Sequence, residues 1–100
     1  MKTLVLYRPN SEHATAVESF LRDFKSQTGH DLPILDVDSR EGADLCRLYE
    51  IMEYPAIIVM DDQGRLQNSW RGGHFPLISE LSYYVTDERQ LYGAEPNKQL

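Results

Sequence analysis

The sequence predicts one α/β domain built as a small three-layer α/β/α sandwich, and three observations support this. Short apolar runs typical of buried strands alternate with segments whose apolar residues recur at helical spacing. The resulting order is βαβαββα. Two βα units imply parallel strands joined by right-handed crossovers, and a later turn joins two antiparallel strands.

Length and composition also indicate one soluble domain. The chain has 100 residues, of which 41% are hydrophobic and 26% charged, and one core is the expectation at this size. We assign residues 1–86 to the domain and residues 87–100, which turn polar, to a flexible tail. No apolar run approaches the roughly 20 residues of a membrane span, and Met1 is not followed by a signal-peptide pattern. We therefore expect a cytoplasmic protein that does not bind membranes.

The charge pattern argues against a nucleic-acid partner. The formal net charge is −6, and the Lys and Arg residues are scattered from Lys2 to Lys98 without a block. Binding to a phosphate backbone needs clustered cations. The acidic stretch between Asp36 and Glu53 is interrupted by arginines, as on a solvated helix face.

The first two elements follow from an apolar run and a helical stripe. Leu4–Tyr7 is continuously apolar, which favours a strand covered on both faces. Pro9, Asn10 and Ser11 then favour a turn and a helix start, with Asn10 or Ser11 as the cap. The helix that follows carries one apolar face and should end near Gly29; the face is Val17, Phe20, Leu21 and Phe24.

The next two elements repeat the pattern. Leu32–Val37 is predicted as a strand with a buried Ile34-Leu35 pair. Asp38 and Glu41 resemble a capping box that starts the second helix. This helix must end before Pro55, because proline disfavours helix in the preceding residue; its predicted apolar face is Leu45, Leu48, Tyr49 and Met52.

The last elements are a hairpin and a helix. Ala56–Met60 is the third strand, Asp61–Gly64 the turn, and Arg65–Arg71 the fourth strand. Gly72-Gly73 breaks that strand. A last helix follows, with proline near its first turn; it is predicted from Pro76, Leu77, Ile78, Leu81 and Val85.

Three features of the chain resemble the thioredoxin-like superfamily, in its small glutaredoxin-sized form. They are the order of elements, the strand-to-helix junction at 9–14, and Tyr54-Pro55-Ala56 at the start of the third strand. The resemblance implies a mixed sheet in the strand order 2-1-3-4, with the first and third helices on one face. It also implies a cis Pro55 facing the junction across a groove. The expected core is Leu4, Leu6, Val17, Phe20, Leu21, Phe24, Leu35, Leu45, Leu48, Ile57, Val59, Leu77, Ile78 and Leu81.

The junction lacks the Cys-x-x-Cys motif that the resemblance would place there. A thiolate at a helix N-terminus is stabilised by free N–H groups and the helix dipole, which makes it a nucleophile. Ser11 and Ala14 take the two thiol positions, with Glu12 and His13 between them. A serine hydroxyl forms no disulfide and alanine has no reactive atom, so dithiol exchange is excluded here.

Other chemistry at the junction is not indicated. Ser11 and His13, two residues apart on a helix, would point in nearly opposite directions and are poor candidates for a nucleophile and its base. We expect instead that Ser11 or Asn10 caps the helix, that Glu12 favours its positive end, and that His13 faces solvent. No catalytic residue is assigned.

The remaining reactive side chains suggest neither a second catalytic centre nor a metal site. Cys46, the single cysteine, lies in the middle of the second helix and reads as a partly buried structural residue. Three histidines show no metal-ligand spacing, and we expect no metal and no cofactor; they are His13, His30 and His74.

The groove is the candidate binding site. In this superfamily the backbone of the residue before the cis proline pairs with an extended peptide by strand addition. The residues expected to border it are Tyr7, Arg8, His13, Tyr54 and Pro55, with Gly72-Gly73 next to them. The alternative is that Pro55 only shapes the start of a strand and the groove binds nothing.

Three functional hypotheses follow. The first is a redox-inactive module that binds a protein or an extended peptide, and it is the one we favour. The second is a thiol oxidoreductase or transferase that uses Cys46 or glutathione held in the groove. The third is an engineered form of a redox protein with both thiols replaced, at Ser11 and Ala14. The sequence does not indicate the oligomeric state.

Overall fold

The computed structural model describes the backbone of residues 1–93 and the side chains of residues 1–85. The order βαβαββα predicted from the sequence is confirmed. The elements are β1 (Lys2–Tyr7), α1 (Ala14–Thr28), β2 (Ile34–Asp36), α2 (Arg40–Leu48), β3 (Ala56–Met60), β4 (Leu66–Arg71) and α3 (Ile78–Gly93).

The four strands form one mixed sheet in the order β2-β1-β3-β4, as expected. β1 pairs in parallel with β2, so that Leu6 lies opposite Leu35. On its other side β1 pairs antiparallel with β3, where Leu6 lies opposite Ala56. β3 and β4 form the predicted hairpin, with an irregularity in register between Val59 and Met60. β1 and β3 are therefore the central strands.

Each face of the sheet carries its own core. On one face, Val5 and Tyr7 of β1 pack with residues of α1 and α3, including Phe24 and Leu81. On the other face, Leu4 and Leu6 pack with residues of α2 and of the segments on either side of it; these include Val37, Cys46 and Ile51. Fully burying one such side chain contributes about 1.5–3 kcal/mol. The continuous apolar runs of β1 and β3 reflect burial on both faces.

The predicted burial is wrong for two residues of the expected core. Leu48 is 71% exposed and Leu77 is 73% exposed. Leu48 is the last residue of α2, which turns its Cys46 side inward, and Leu77 precedes the first residue of α3. The predicted apolar face of α2 is also wrong at Met52. This residue lies beyond the end of the helix and is 83% exposed. Ile34, predicted as buried, is half exposed because β2 is an edge strand.

The second helix starts with a different cap from the one predicted. Ser39, not Asp38, is the N-cap, and its Oγ accepts the N–H of Gly42 at 3.0 Å. Gly42 also has no room for a side chain, because an added Cβ would lie 1.9 Å from the carbonyl oxygen of Asp36. A serine cap and a close backbone approach thus fix the β2–α2 connection.

The last helix runs to Gly93, past the boundary at residue 86 that we drew between domain and tail. Residues 87–92 contain neither glycine nor proline and include several good helix formers, which allows the helix to continue. Residues 94–100, the rest of the expected tail, lie outside the described residues. In residues 1–93 no helix has the length and apolar character needed to cross a membrane.

Candidate functional site

The junction between β1 and α1 is a hydrogen-bonded turn. Helix α1 begins at Ala14, which is buried, and its N-cap position is His13, without a side-chain cap. The predicted cap at Asn10 or Ser11 is therefore wrong. Ser11 instead closes the turn: its Oγ donates to the carbonyl of Arg8 at 2.6 Å, and its N–H donates to the same oxygen at 3.2 Å. The Ser11 hydroxyl is thus bound to the backbone.

His13 is only partly exposed and turns toward the end of β1, whereas we expected it to face solvent. Its Nε2 accepts the backbone N–H of Arg8 at 3.2 Å. The imidazole ring lies 6.3 Å from the ring of Tyr7, centroid to centroid. His13 and Ser11 therefore bond to two different groups of Arg8 and not to each other, so their geometry offers no nucleophile and base pair.

Arg8 holds together three segments that are distant in sequence. Its Nε and Nη2 donate to the two carboxylate oxygens of Asp38, at 2.7 and 3.0 Å. Its guanidinium carbon lies 5.6 Å from the centroid of the Tyr54 ring, in cation–π contact. We call Arg8, Asp38 and Tyr54 the Arg8 cluster. It joins the end of β1, the start of the β2–α2 connection and the segment before β3.

The charges of the Arg8 cluster reinforce each other. The hydrogen bond to Asp38 raises the pKa of Arg8, and the same bond lowers the pKa of Asp38. Both side chains are exposed to solvent, which screens the pair, so its main effect is to fix orientation rather than to stabilise the fold. A two-pronged pair with a planar guanidinium is the geometry that gives such fixed orientation.

Tyr54 connects the surface of the Arg8 cluster to the thiol of Cys46. Its hydroxyl donates to the carbonyl of Ile51 at 3.2 Å. Burial raises the pKa of Tyr54, and hydrogen bonding with the Cys46 thiol raises it further. Cys46 itself is 6% exposed and lies in the last turn of α2 rather than at a helix N-terminus. The thiol therefore lies beneath Tyr54 and not at the junction.

The backbone of Pro55 is hydrogen-bonded to the residue after β4, whereas the backbone of Tyr54 makes no such bond. The Tyr54–Pro55 peptide bond is cis. The carbonyl of Pro55 accepts the N–H of Gly72 at 2.9 Å. Pairing between β1 and β3 stops at Leu6 and Ala56. Within the part of the chain that the structure describes, the N–H and C=O of Tyr54 have no hydrogen-bond partner. Tyr54 therefore presents one unpaired N–H and one unpaired C=O just before the start of β3.

A groove of about 680 Å³ lies on the α2 side of Tyr54. The side chains that matter for its character are Arg8, Asp38, Cys46, Ile51, Met52 and Tyr54. Its floor is apolar and its rim is charged. Among the described side chains, no three His, Cys, Asp or Glu come together as a metal site would require.

The structure brings only part of the predicted site together. Arg8 and Tyr54 both line the groove, whereas His13 and Pro55 are not among its lining residues. Tyr7 is only 5% exposed and packs below His13, on the other side of the turn, so its placement at the border is wrong. Ser11, Glu12 and Ala14 belong to the turn and the helix start.

Sequence reasoning missed Asp38 and Met52. Asp38 follows the parallel neighbour of β1, and the carboxyl ends of parallel strands meet at one edge of a sheet, so a charged residue there was a usable signal. The sequence pattern placed Met52 on the apolar face of the second helix, whereas its 83% exposure depends on where α2 ends.

Comparison with known proteins gives similarity at the level of structure. No family model and no curated protein sequence matches the chain. Thioredoxin 1 from the thermophilic eubacterium Thermosipho africanus is similar with a TM-score of 0.57 and 14% identity, over 93% of this chain and 99% of that one. Oxidised mitochondrial thioredoxin 3 from Saccharomyces cerevisiae is similar with a TM-score of 0.55 and 17% identity, over 85% and 76%.

At these identities the similarity concerns the fold alone. The strand order and the placement of the helices on the two faces of the sheet agree with it. The chain therefore has the thioredoxin-like fold.

Proposed function

We propose that this chain is a redox-inactive thioredoxin-like domain that binds an extended segment of a partner protein. The observation that carries the proposal is the unpaired backbone of Tyr54 beside the Arg8 cluster. An open strand edge with an aromatic and an arginine side chain next to it offers both backbone hydrogen bonds and anchors for side chains.

The junction supports a binding role rather than dithiol exchange. Thiol exchange passes through a mixed disulfide and needs an accessible thiolate. At the two thiol positions this chain has Ser11, whose hydroxyl is bonded to Arg8, and Ala14, which is buried. Its one cysteine fits a reducing compartment, so the cytoplasm stays the expected location.

The mode of binding follows from what Tyr54 leaves open. A partner segment in extended conformation accepts the N–H of Tyr54 and donates to its carbonyl, each bond contributing about 0.5–1.5 kcal/mol. A side chain of the segment then packs on the Tyr54 ring and over the apolar floor of the groove, near Met52. The arginine is already oriented by Asp38, which lowers the entropic cost of binding.

A peptide selection tests the proposal. A random-peptide library displayed on phage is selected against the whole chain, and the best peptide is synthesised and titrated by fluorescence anisotropy. Tyr54→Ala and Arg8→Glu should each weaken binding by more than about 1 kcal/mol, roughly fivefold. Tyr83→Ala is the matched control, because Tyr83 is an exposed tyrosine on α3.

The same measurements distinguish a structural role of Tyr54. If Tyr54→Ala lowers the unfolding temperature and leaves peptide affinity unchanged, Tyr54 serves the fold and the proposed surface is wrong. Equal losses of affinity in all three variants would place the binding surface elsewhere, with the acidic α2 face as the next candidate.

One observation favours a thiol enzyme as the second candidate. The Cys46 thiol interacts with Tyr54 at the floor of the groove, so a small disulfide such as glutathione disulfide would meet it there if Tyr54 moved. The third reading, an engineered form of a dithiol enzyme, is decided by the natural gene. Cysteine codons at positions 11 and 14 would establish it.

A further inference from the structure

The imidazole of His13 is the acceptor in a hydrogen bond that ties the junction to the end of β1. Its Nε2 accepts the N–H of Arg8 at 3.2 Å across five residues of chain. An imidazolium ring carries a hydrogen on both nitrogens and accepts no hydrogen bond. The bond therefore exists only while His13 is neutral.

Arg8 is also the residue that builds the binding site. Its carbonyl accepts two hydrogen bonds from Ser11, and its side chain holds Asp38 and lies over Tyr54. Its N–H, its carbonyl and its guanidinium are thus each held by a different partner. Loss of the bond to His13 removes the restraint on the N–H, which lies on the same residue as the guanidinium.

The other groups near this ring are an arginine, a tyrosine and carboxylates, side-chain types that ordinarily titrate outside the range of histidine. The titratable and charged groups around the Tyr7 and His13 rings are Arg8 just after β1, Glu12 before α1, Glu18 of α1 and Asp36 of β2. Burial, then Glu18, then Asp36 raise the pKa of Tyr7, so it stays neutral. Pairing raises the pKa of Arg8 and lowers that of Asp38, so both stay charged. Histidine is the side-chain type that generally takes up a proton between about pH 5 and pH 8.

We propose that protonation of His13 releases the N–H of Arg8, loosens the Arg8 cluster and weakens partner binding. The domain then holds its partner near neutral pH and releases it in acid. The weakening of binding rests on the proposed function, whereas the release of the Arg8 N–H does not.

The first experiment follows the hydrogen bond directly. In a two-dimensional ¹⁵N NMR titration of the whole chain from about pH 8 to about pH 5, the Arg8 amide proton should move upfield along one sigmoid. That sigmoid should coincide with the titration of the His13 ring protons. In His13→Gln the curve should be flat, because an amide side chain does not titrate. His74→Gln, at an exposed histidine, should keep the wild-type curve.

An Arg8 amide that does not move in the wild type would overturn the release. The release would also be overturned if the Arg8 amide of His13→Gln still responded to pH, because another group would then be responsible.

The second experiment tests the consequence for binding with the phage-selected peptide. Wild-type affinity should fall on the order of fivefold across this range, the equivalent of one hydrogen bond, and the affinity of His13→Gln should change little. An unchanged wild-type affinity together with a moving Arg8 amide would refute the pH control and leave the binding function intact. If no peptide binds at any pH, the proposed function fails, and the NMR titration still decides the release.

Discussion

Arg8 shows how one side chain organises a surface. Its guanidinium bonds Asp38, thirty positions away in the sequence, and lies over the ring of Tyr54. None of these contacts is strong, because all three side chains reach solvent and exposed pairs are screened. Together they give the open backbone of Tyr54 a fixed neighbour, which is what a binding site requires.

Phe24 and Phe20 give a prediction at the residue scale. Phe24 is completely buried, whereas Phe20 is half-buried and stacks on Phe75 at a centroid distance of 5.0 Å. Phe24→Ala should lower the free energy of unfolding by about 3–5 kcal/mol, and Phe20→Ala by clearly less, because a half-exposed site leaves less of a cavity. Urea denaturation measures both. Equal losses would contradict the difference in burial.

At the scale of elements, the two ends of α2 have the largest effect on the composition of the groove. The helix is short, and its last residue, Leu48, turns outward. Its start is fixed by the Ser39 cap and by the close approach of Gly42 to Asp36. These two ends determine where Asp38 meets Arg8 and where Met52 emerges at the groove.

The cap of α2 gives the second prediction. Ser39→Ala should cost about 0.5–2 kcal/mol of stability, because the N–H of Gly42 loses its acceptor. Asp38→Ala should cost less, since Asp38 does not cap the helix, but it should weaken peptide binding by freeing Arg8. Urea denaturation and the anisotropy titration, run on both variants, separate the two roles. A larger loss of stability from Asp38→Ala would restore the predicted capping box.

At the scale of the whole molecule, the fold determines which segments meet at the proposed binding site. The sheet and its three helices bring the junction, the cis proline and the groove to one side of the domain. The proposed site consists of the unpaired backbone of Tyr54 and the arginine that Asp38 orients.

Chemical inactivity is the prediction that follows for the intact protein. In an insulin-reduction assay and in a glutathione-linked disulfide assay, the chain should behave like buffer, because the junction has no thiol and Cys46 is buried. Cys46→Ser should change nothing. Turnover that disappears in Cys46→Ser would favour the thiol enzyme over the binding module.

The stability of the whole domain should depend on pH at both extremes. On the acid side, hydrogen bonding to Arg8 lowers the pKa of Asp38, and backbone hydrogen bonds of its own turn lower the pKa of Asp61. A carboxyl whose pKa is lower in the folded state stabilises the fold above its unfolded pKa of about 3.9, and this contribution is lost as the pH falls.

On the alkaline side the sign is reversed. Burial raises the pKa of Tyr7 and Tyr54, so their contribution is present below about pH 10 and is lost as the pH rises. Urea midpoints should therefore form a plateau that falls at both ends. Asp61→Asn should flatten the acid side, and an unchanged acid side in that variant would contradict the assignment.

The sequence by itself determined the order of the elements, the burial of β1 and β3, and the absence of thiols at positions 11 and 14. Periodicity and residue type are local properties, and they can be read without knowing what a segment packs against. The resemblance carried by Pro55 and the junction added the strand order and the groove.

Only the tertiary structure decided which residues meet at that groove. The pairing of Arg8 with Asp38 depends on two strand ends lying side by side, and the exposure of Leu48 and Met52 depends on where α2 ends. The turn that commits Ser11 and His13 to Arg8 likewise depends on backbone geometry rather than on residue spacing. Contacts between distant segments and the exact ends of helices arise from packing, which a one-dimensional pattern does not contain.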